Sequence, residues 1–530
     1  MASTGSQNDS HSAVNLLTTS AHELQALQSA GTLTAAALLQ LCLSQVEQYN
    51  SSLKAVIALA PVGYLRKVAV GLDQERHNGK VRGPLHGIPI LLKDNLNTSS
   101  DMGMDTAAGC LAFTETHPRS SADVVQRMIA AGAIVMGKAN LSPDFLRPYS
   151  CDHRSETLPW AWSALGHQTQ SAYVFGGFDP SDGIGGHSNP GGSSSGSAVG
   201  VSAGFCPISL GTDTIGSLTI PATRAALYSM RPSVGLVSTE GVLPVSTDYD
   251  TVGPMAKCVR DIADTLDVLV DRHNANVPGG SYSHFMTRDW SDISVGTLDP
   301  SLWKFNPDIT KPVHSATVQM INETSAAYKK LEKLAKKVCN VPLIHGAELD
   351  KIDNAGDELL LEVGGYDEAL KGYLQTLEKP KVSSVAELVE FNQAHADVEL
   401  PKGYDKQDML IAARDARMSK KRYQELRHQI SVSLANAGVD PILKQYGVDV
   451  IIGPSDSDIY TVFGLSGYPA VTLPLGYLEF NGRPFGLVAL ASHHQEPLLI
   501  KVASAWEATF PKRQPPRALE EHRKGHSGSL

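Results

Sequence analysis

The chain of 530 residues, 42% hydrophobic and 19% charged, is ample for one large globular body or two packed domains and is of ordinary composition. A formal net charge of −10 supplies no basic stripe, and no nucleic-acid motif is present, which excludes nucleic acid as the expected partner. The six cysteines, Cys42, Cys110, Cys151, Cys206, Cys258 and Cys339, form no CxxC pair, which speaks against a zinc site and a disulfide scaffold, and no apolar run approaches the roughly eighteen residues of a membrane span.

Residues 1–20 open polar (MASTGSQNDSHSAVN) and read as a disordered segment. Helices are then predicted over Ala21–Ala30, over Thr34–Tyr49, where Leu38, Leu39, Leu41 and Val46 fall mainly at helical spacing, and over Val62–Arg76. In GPLHGIPILLKDN (Gly83–Asn95), the run Ile88–Leu92 has the length of a buried strand, and Lys93 ends it. A lysine is ordinarily solvated; its place directly after an apolar strand favours burial. Ser121–Asn140 reads as helix, turn and strand, with Gly132 at the C-terminal cap. Such alternation predicts an α/β architecture. Asp144–Pro190 is irregular and expected to wrap the front of a site.

The stretch Gly191–Gly204, GGSSSGSAVGVSAG, holds five glycines and five serines. Gly192, Gly196, Gly200 and Gly204 recur every fourth residue, so on a helix they make one stripe without side chains, where another backbone can approach closely. The expectation is a tight loop feeding a buried helix of small residues. Next, Ile208–Leu210 reads as a short strand and Gly211–Ser217 as a loop that offers a second serine, Ser217. From Asn306 to Gly447 the chain becomes helical and charged, and the apolar strands of VDVIIGP, YPAVTLPLGY and FGLVALAS return before a helix over Glu496–Ala508. This divides the chain into a first core part (21–305), a helical insertion or cover (306–447) and a C-terminal core part (448–530).

Three chemistries compete for the serine-bearing loops. Gly192–Gly196 matches G-x-S-x-G with Ser194 as nucleophile, but the preceding SDGIGGHSNP cannot be the buried strand that motif requires. A phosphate-binding loop lacks the Gly-Lys-Ser/Thr that should follow. A serine activated by a lysine, without histidine, is the third.

Taken together, GPLHGIPILLKDN, GGSSSGSAVGVSAG, GTDTIGSLTIPA and DTVGPMAKCVRD resemble the amidase signature family, over a span from about Ala21 to Pro511. The resemblance implies a mixed central β-sheet covered by helices on both faces, with a helical insertion. It also implies a catalytic triad of Lys93, Ser193 in a cis peptide after Gly192, and Ser217. An oxyanion hole would come from the backbone N–H groups of Thr214, Ile215, Gly216 and Ser217, with Gly192, Ser194 and Asp213 supporting the loops. Neither metal nor cofactor is implied. Ser163–Tyr173 (SALGHQTQSAY) and Phe391–Pro401 (FNQAHADVELP) resemble the branch of peptide amidases and fungal amidases.

In this chemistry a buried, neutral Lys93 takes a proton through Ser193, and Ser217 attacks the amide carbonyl. The expected function is a serine amidase acting on a carboxamide of a small molecule or peptide through an acyl-enzyme. It is expected in the cytoplasm, with no membrane partner and with its oligomeric state open. Acyl transfer to an amine, an amidotransferase component supplying ammonia from glutamine, and an inactive binding protein on the same fold are the alternatives. Three departures from the family pattern stand out. Ile215 replaces a glycine beside the oxyanion hole, Thr219 replaces a frequent arginine, and Arg224 and Tyr228 bring bulk where small residues are usual, which points to an unusual substrate.

Overall fold

The structure is a computed structural model and describes residues 14–142, 158–271, 277–345, 348, 365–415 and 420–527. Among these residues the strands are β1 (Val56–Leu59), β2 (Pro89–Lys93), β3 (Ile134–Ala139), β4 (Ile208–Asp213), β5 (Tyr228–Arg231), β6 (Thr251–Ala256), β7 (Ser294–Thr297), β8 (Lys337–Asn340), β9 (Val450–Pro454), β10 (Ala470–Tyr477) and β11 (Pro484–Leu490). They form one mixed sheet in the order β1-β3-β2-β4-β6-β5-β10-β11-β9-β7-β8. The β3–β2–β4 pairs and the β9–β7–β8 pairs are parallel, and the remaining pairs are antiparallel.

Every residue of β2 through β6 is buried, so both faces of this half of the sheet are covered, as the continuous apolar run Ile88–Leu92 anticipates. The register Leu92 opposite Leu210 brings the carboxyl ends of parallel β2 and β4 side by side. That pairing delivers Lys93 to the chain that leads into Ser217. Lys93 is the last residue of β2 itself, and β4 runs on to Asp213, through residues that read as loop in the sequence.

The expected stripe is realised in part: Gly196 and Gly200 lie within the helix, whereas Gly192 precedes it and Gly204, with φ +76°, follows it. The helix Ser195–Ser202 is buried at every residue. A Cβ on Gly196 would lie 2.2 Å from the Ala55 carbonyl oxygen and one on Gly200 would lie 2.7 Å from Leu91 Cδ1, so only glycine lets this helix lie so close to the sheet.

The helical region is tied to the core on two sides. Leu426, Ile430 and Leu434 of the helix Lys420–Ala437 pack with Tyr460 and Phe463 of the helix Ile459–Ser466. Leu370, Leu374 and Leu388 pack over Cys110 and Phe113. One part of this region departs from the expected all-helical character. The helix His314–Leu331 is followed by β8, whose Val338 and Cys339 extend the sheet at its edge; two half-buried residues between exposed ones are too short a signal to separate from a charged helix. The N-terminal expectation is also revised for residues 14–20. Leu17 is buried, and the Leu16 and Leu17 carbonyls accept from Lys257 Nζ at 2.7 Å and Arg513 Nη1 at 2.7 Å. Part of the irregular Asp144–Pro190 stretch, residues 144–157, lies outside the described residues, as does Cys151. The five described cysteines are free thiols, and no described helix is long and apolar enough to cross a membrane.

Candidate active site

Lys93 is wholly buried, at 0% exposure. Its Nζ donates to Ser193 Oγ at 2.6 Å and to Thr212 Oγ1 at 2.8 Å. Thr212 Oγ1 accepts a further bond from Asn95 Nδ2 at 3.1 Å, so three residues fix where the amine sits. Ser193, at 1% exposure, follows a cis Gly192–Ser193 peptide, and its carbonyl accepts from the Ser142 N–H at 3.0 Å. A Cβ on Gly192 would stand 2.4 Å from Ser142 Oγ and displace that hydroxyl from its bond with the Ala161 N–H.

Ser217, 2% exposed, sits between β4 and the helix Thr219–Arg224. The two serine loops are joined through Ser194, whose N–H donates to the Ser217 carbonyl at 3.2 Å and whose hydroxyl donates to the Thr212 carbonyl at 3.0 Å. That hydroxyl is fully buried and engaged, so Ser194 bridges the two loops.

Asp213 shapes the turn from within. Its carboxylate accepts from the Gly216 N–H at 2.9 Å and the Leu218 N–H at 2.6 Å, and Arg231 Nη1 lies 3.3 Å from Oδ1. Arg231 also donates to the carbonyls of Asp213, Tyr249 and Gly464, at 3.2, 3.1 and 3.3 Å. Burial holds this guanidinium below its usual range, against the attraction of Asp213 and Asp250. Because the Gly216 N–H points to Asp213, it is engaged within the turn, unlike the role the family resemblance implies for it. Thr214 is tethered by its own hydroxyl to Asp250 Oδ1 at 2.5 Å.

The departures from the family pattern resolve into packing. Ile215 has no positive φ and is buried in the cluster that contains Ile459, Tyr460 and Phe463, whereas Gly216 has φ +90° and abuts Tyr460. The backbone therefore needs glycine at 216 and not at 215. Thr219 is buried, with its hydroxyl donating to the Gly216 carbonyl at 3.3 Å. Arg224 and Tyr228 are buried too, Tyr228 in the main core.

Behind Lys93 lies a buried pair. Asp94 Oδ1 is 3.7 Å from Lys138 Nζ, and the Asp94 carboxylate accepts the Gly109 N–H at 3.0 Å. Lys138 donates to the Leu96 carbonyl and to Thr106 Oγ1. Burial pushes the Asp94 carboxyl up to about 6 and the Lys138 amine down to about 8, each partly opposed by the other's charge. The segments that resemble the peptide-amidase branch serve as anchors. Ser163 Oγ donates to Asn140 Oδ1 at 2.6 Å while the Asn140 carbonyl accepts the Gly196 N–H at 2.9 Å, and Glu399 Oε1 accepts the Leu111 N–H at 2.5 Å.

Lys93, Ser193, Ser194, Asp213 and Ser217, all legible in the sequence motifs, gather at the ends of β2 and β4. Thr212 and Asn95 are not legible there, although both stand inside the motifs GTDT and KDN, because a threonine and an asparagine carry no signal of their own until the lysine's neighbours are known. Arg231 carries no such signal either.

The amidase family model matches residues 37–500. A probable amidase of Arabidopsis thaliana is 29% identical over 499 residues, covering 92% of this chain and 89% of the relative. One component of the glutamyl-tRNA(Gln) amidotransferase of Chloroflexus aurantiacus is 28% identical over 504 residues, covering 91% and 95%. The native peptide amidase of Stenotrophomonas maltophilia superposes with a TM-score of 0.79 at 32% identity, covering 94% of this chain and 98% of its own, and a peptide amidase complex with the competitive inhibitor chymostatin matches equally, with a TM-score of 0.79 at 32% identity. With that sheet, those motifs and these relatives, the chain belongs to the amidase family and is an amide-hydrolysing enzyme.

Proposed function

We propose that the protein hydrolyses a carboxamide of a small molecule or peptide through an acyl-Ser217 intermediate, with Lys93 as base and Ser193 as proton relay. The observation that carries this reading is the 2.6 Å contact between Lys93 Nζ and Ser193 Oγ at two residues that water hardly reaches. Exclusion of water favours the uncharged amine, whose lone pair can then accept the Ser193 O–H across the same contact. Ser193 passes its proton to Lys93 and takes one from Ser217 Oγ as that oxygen attacks the carbonyl carbon. The oxyanion of the tetrahedral intermediate is met by backbone N–H groups of the Thr214–Ser217 turn other than that of Gly216. A donor of this kind contributes on the order of 2.7–4 kcal/mol. As the C–N bond breaks, the proton returns through Ser193 to the leaving nitrogen. Water then attacks the acyl-enzyme, gives up its proton by the same route, and releases the carboxylic acid and Ser217.

The peptide amidase relatives support a peptide amide as one substrate class. The test is intact-protein mass after treatment with a fluorophosphonate, comparing wild type with Ser217→Ala, Ser193→Ala and Lys93→Ala. Labelling at Ser217 that collapses without Lys93 supports the relay. A folded wild type that takes no label, or takes it at Ser194, refutes it.

A further inference from the structure

Arg224 ends the short helix Thr219–Arg224 that Ser217 leads into, and its guanidinium is turned entirely inward, at 0% side-chain exposure. Nη1 donates to the carbonyls of Gly186 at 2.9 Å and Asn189 at 3.2 Å, Nη2 donates to the carbonyl of Gly185 at 2.9 Å, and Nε lies 3.2 Å from Asp456 Oδ1. The guanidinium carbon also stands 5.7 Å from the ring centroid of Trp160. Asp456 is held in turn by Arg483 Nη1 at 2.5 Å, and Arg483 Nη2 contacts His187 Nδ1 at 3.0 Å. Burial opposes the Asp456 charge, but Arg224 and Arg483 outweigh it and hold the carboxyl well below its usual range. The clasp is therefore charged throughout the neutral range.

What Arg224 clasps is the approach to Ser193. Asn189 carries the restraint onward, since its Oδ1 accepts the Gly191 N–H at 2.8 Å and its Nδ2 donates to the Trp160 carbonyl at 2.8 Å. Four residues beyond Asn189 the chain reaches Ser193. A single side chain thus spans from the helix after Ser217 to the loop before Ser193. The planar fork of an arginine suits this position, because three carbonyls and a carboxylate lie in different directions and a lysine offers one compact centre.

We infer that Arg224 is a positioning residue for amide hydrolysis: its bonds to Gly185, Gly186 and Asn189 fix the Ser193 loop against the Ser217 helix, so that the two hydroxyls stay in register while a proton moves between them. The inference rests on the proposed relay. It differs from a purely structural role in one consequence. An amide nitrogen must receive the relayed proton before it leaves, whereas p-nitrophenolate leaves without one, so a displaced Ser193 penalises amides more than activated esters.

The experiment compares wild type, Arg224→Lys and Arg224→Met on N-acetylphenylalaninamide and on N-acetylphenylalanine p-nitrophenyl ester, with thermal melting of each protein. The expected result for Arg224→Lys is a fall in amide kcat of about 100-fold, the scale of a 1 Å misplacement, with KM nearly unchanged and the ester kcat reduced less than about tenfold. Arg224→Met should move the same way and further. Equal losses on both substrates, no loss on either, or an Arg224→Lys protein that fails to fold overturns the positioning role. If Arg224→Met alone fails to fold, Arg224→Lys decides, because it keeps a cation beside Asp456. A wild type that hydrolyses neither compound and takes no fluorophosphonate label overturns the relay itself, and the positioning role with it.

Discussion

Lys93 Nζ stands 2.6 Å from Ser193 Oγ, and the two residues come from a strand and a loop one hundred positions apart. Lys93→Met keeps an unbranched apolar stem, one atom shorter, while removing the base. The expected loss in amide kcat is about 10²–10⁴-fold, the range for a positioned general base, with KM little changed. Steady-state kinetics together with a melting curve close to wild type would establish it; a fall of less than about tenfold would exclude Lys93 as the base.

Ser194→Ala separates the two serines that stand next to each other. The Ser194 hydroxyl donates to the Thr212 carbonyl, and its loss is expected to cost about 1 kcal/mol of stability while leaving fluorophosphonate labelling of Ser217 in place. Urea unfolding and peptide mapping of the label measure the two parts separately.

Ile215→Gly would restore the residue common in the family, yet it should destabilise this protein. Ile215 fills a cluster with Tyr460 and Phe463, and the backbone there does not require glycine. Emptying that position is expected to cost about 3–5 kcal/mol from the cavity and the added freedom of the unfolded chain. A melting temperature equal to or above wild type would contradict this packing.

Arg231→Met leaves the Asp213 carboxylate buried without its cationic neighbour. Breaking such a pair costs about 3–5 kcal/mol, and because Asp213 holds the Gly216 and Leu218 amides, activity should fall along with stability. Denaturant titration and kcat measured on the same preparation test both.

The Asp94–Lys138 pair predicts a pH dependence. Asp94 has a folded value of about 6, raised by burial, so its contribution to stability is greatest below the unfolded carboxylate value and is lost as pH rises through about 6. Lys138→Met removes the cation that offsets the Asp94 charge. The variant should lose more stability at about pH 8, where the carboxylate is ionised and unpaired, than at about pH 5, where it is protonated. Equal losses at both values, by urea titration, would show that Asp94 does not carry that charge.

The local pattern of the chain determined a good deal. Ile88–Leu92 followed by Lys93, and Gly196 and Gly200 at four-residue spacing, each carry their meaning within a dozen residues, because strand burial and helix packing are short-range constraints. The helices at 21–30, 34–49 and 62–76 and the last three strands were legible for the same reason.

Tertiary structure alone decided the rest. Only the register of β2 against β4 sets Thr212 beside Lys93, only the approach of Ile459–Ser466 makes Ile215, where the family pattern has glycine, part of the core, and only the meeting of Gly185–Asn189 with Asp456 shows why an arginine ends the helix after Ser217. Each of these depends on contacts between residues far apart in sequence, whose partners composition and periodicity do not name, and whose energies come from water being excluded once the pieces have met.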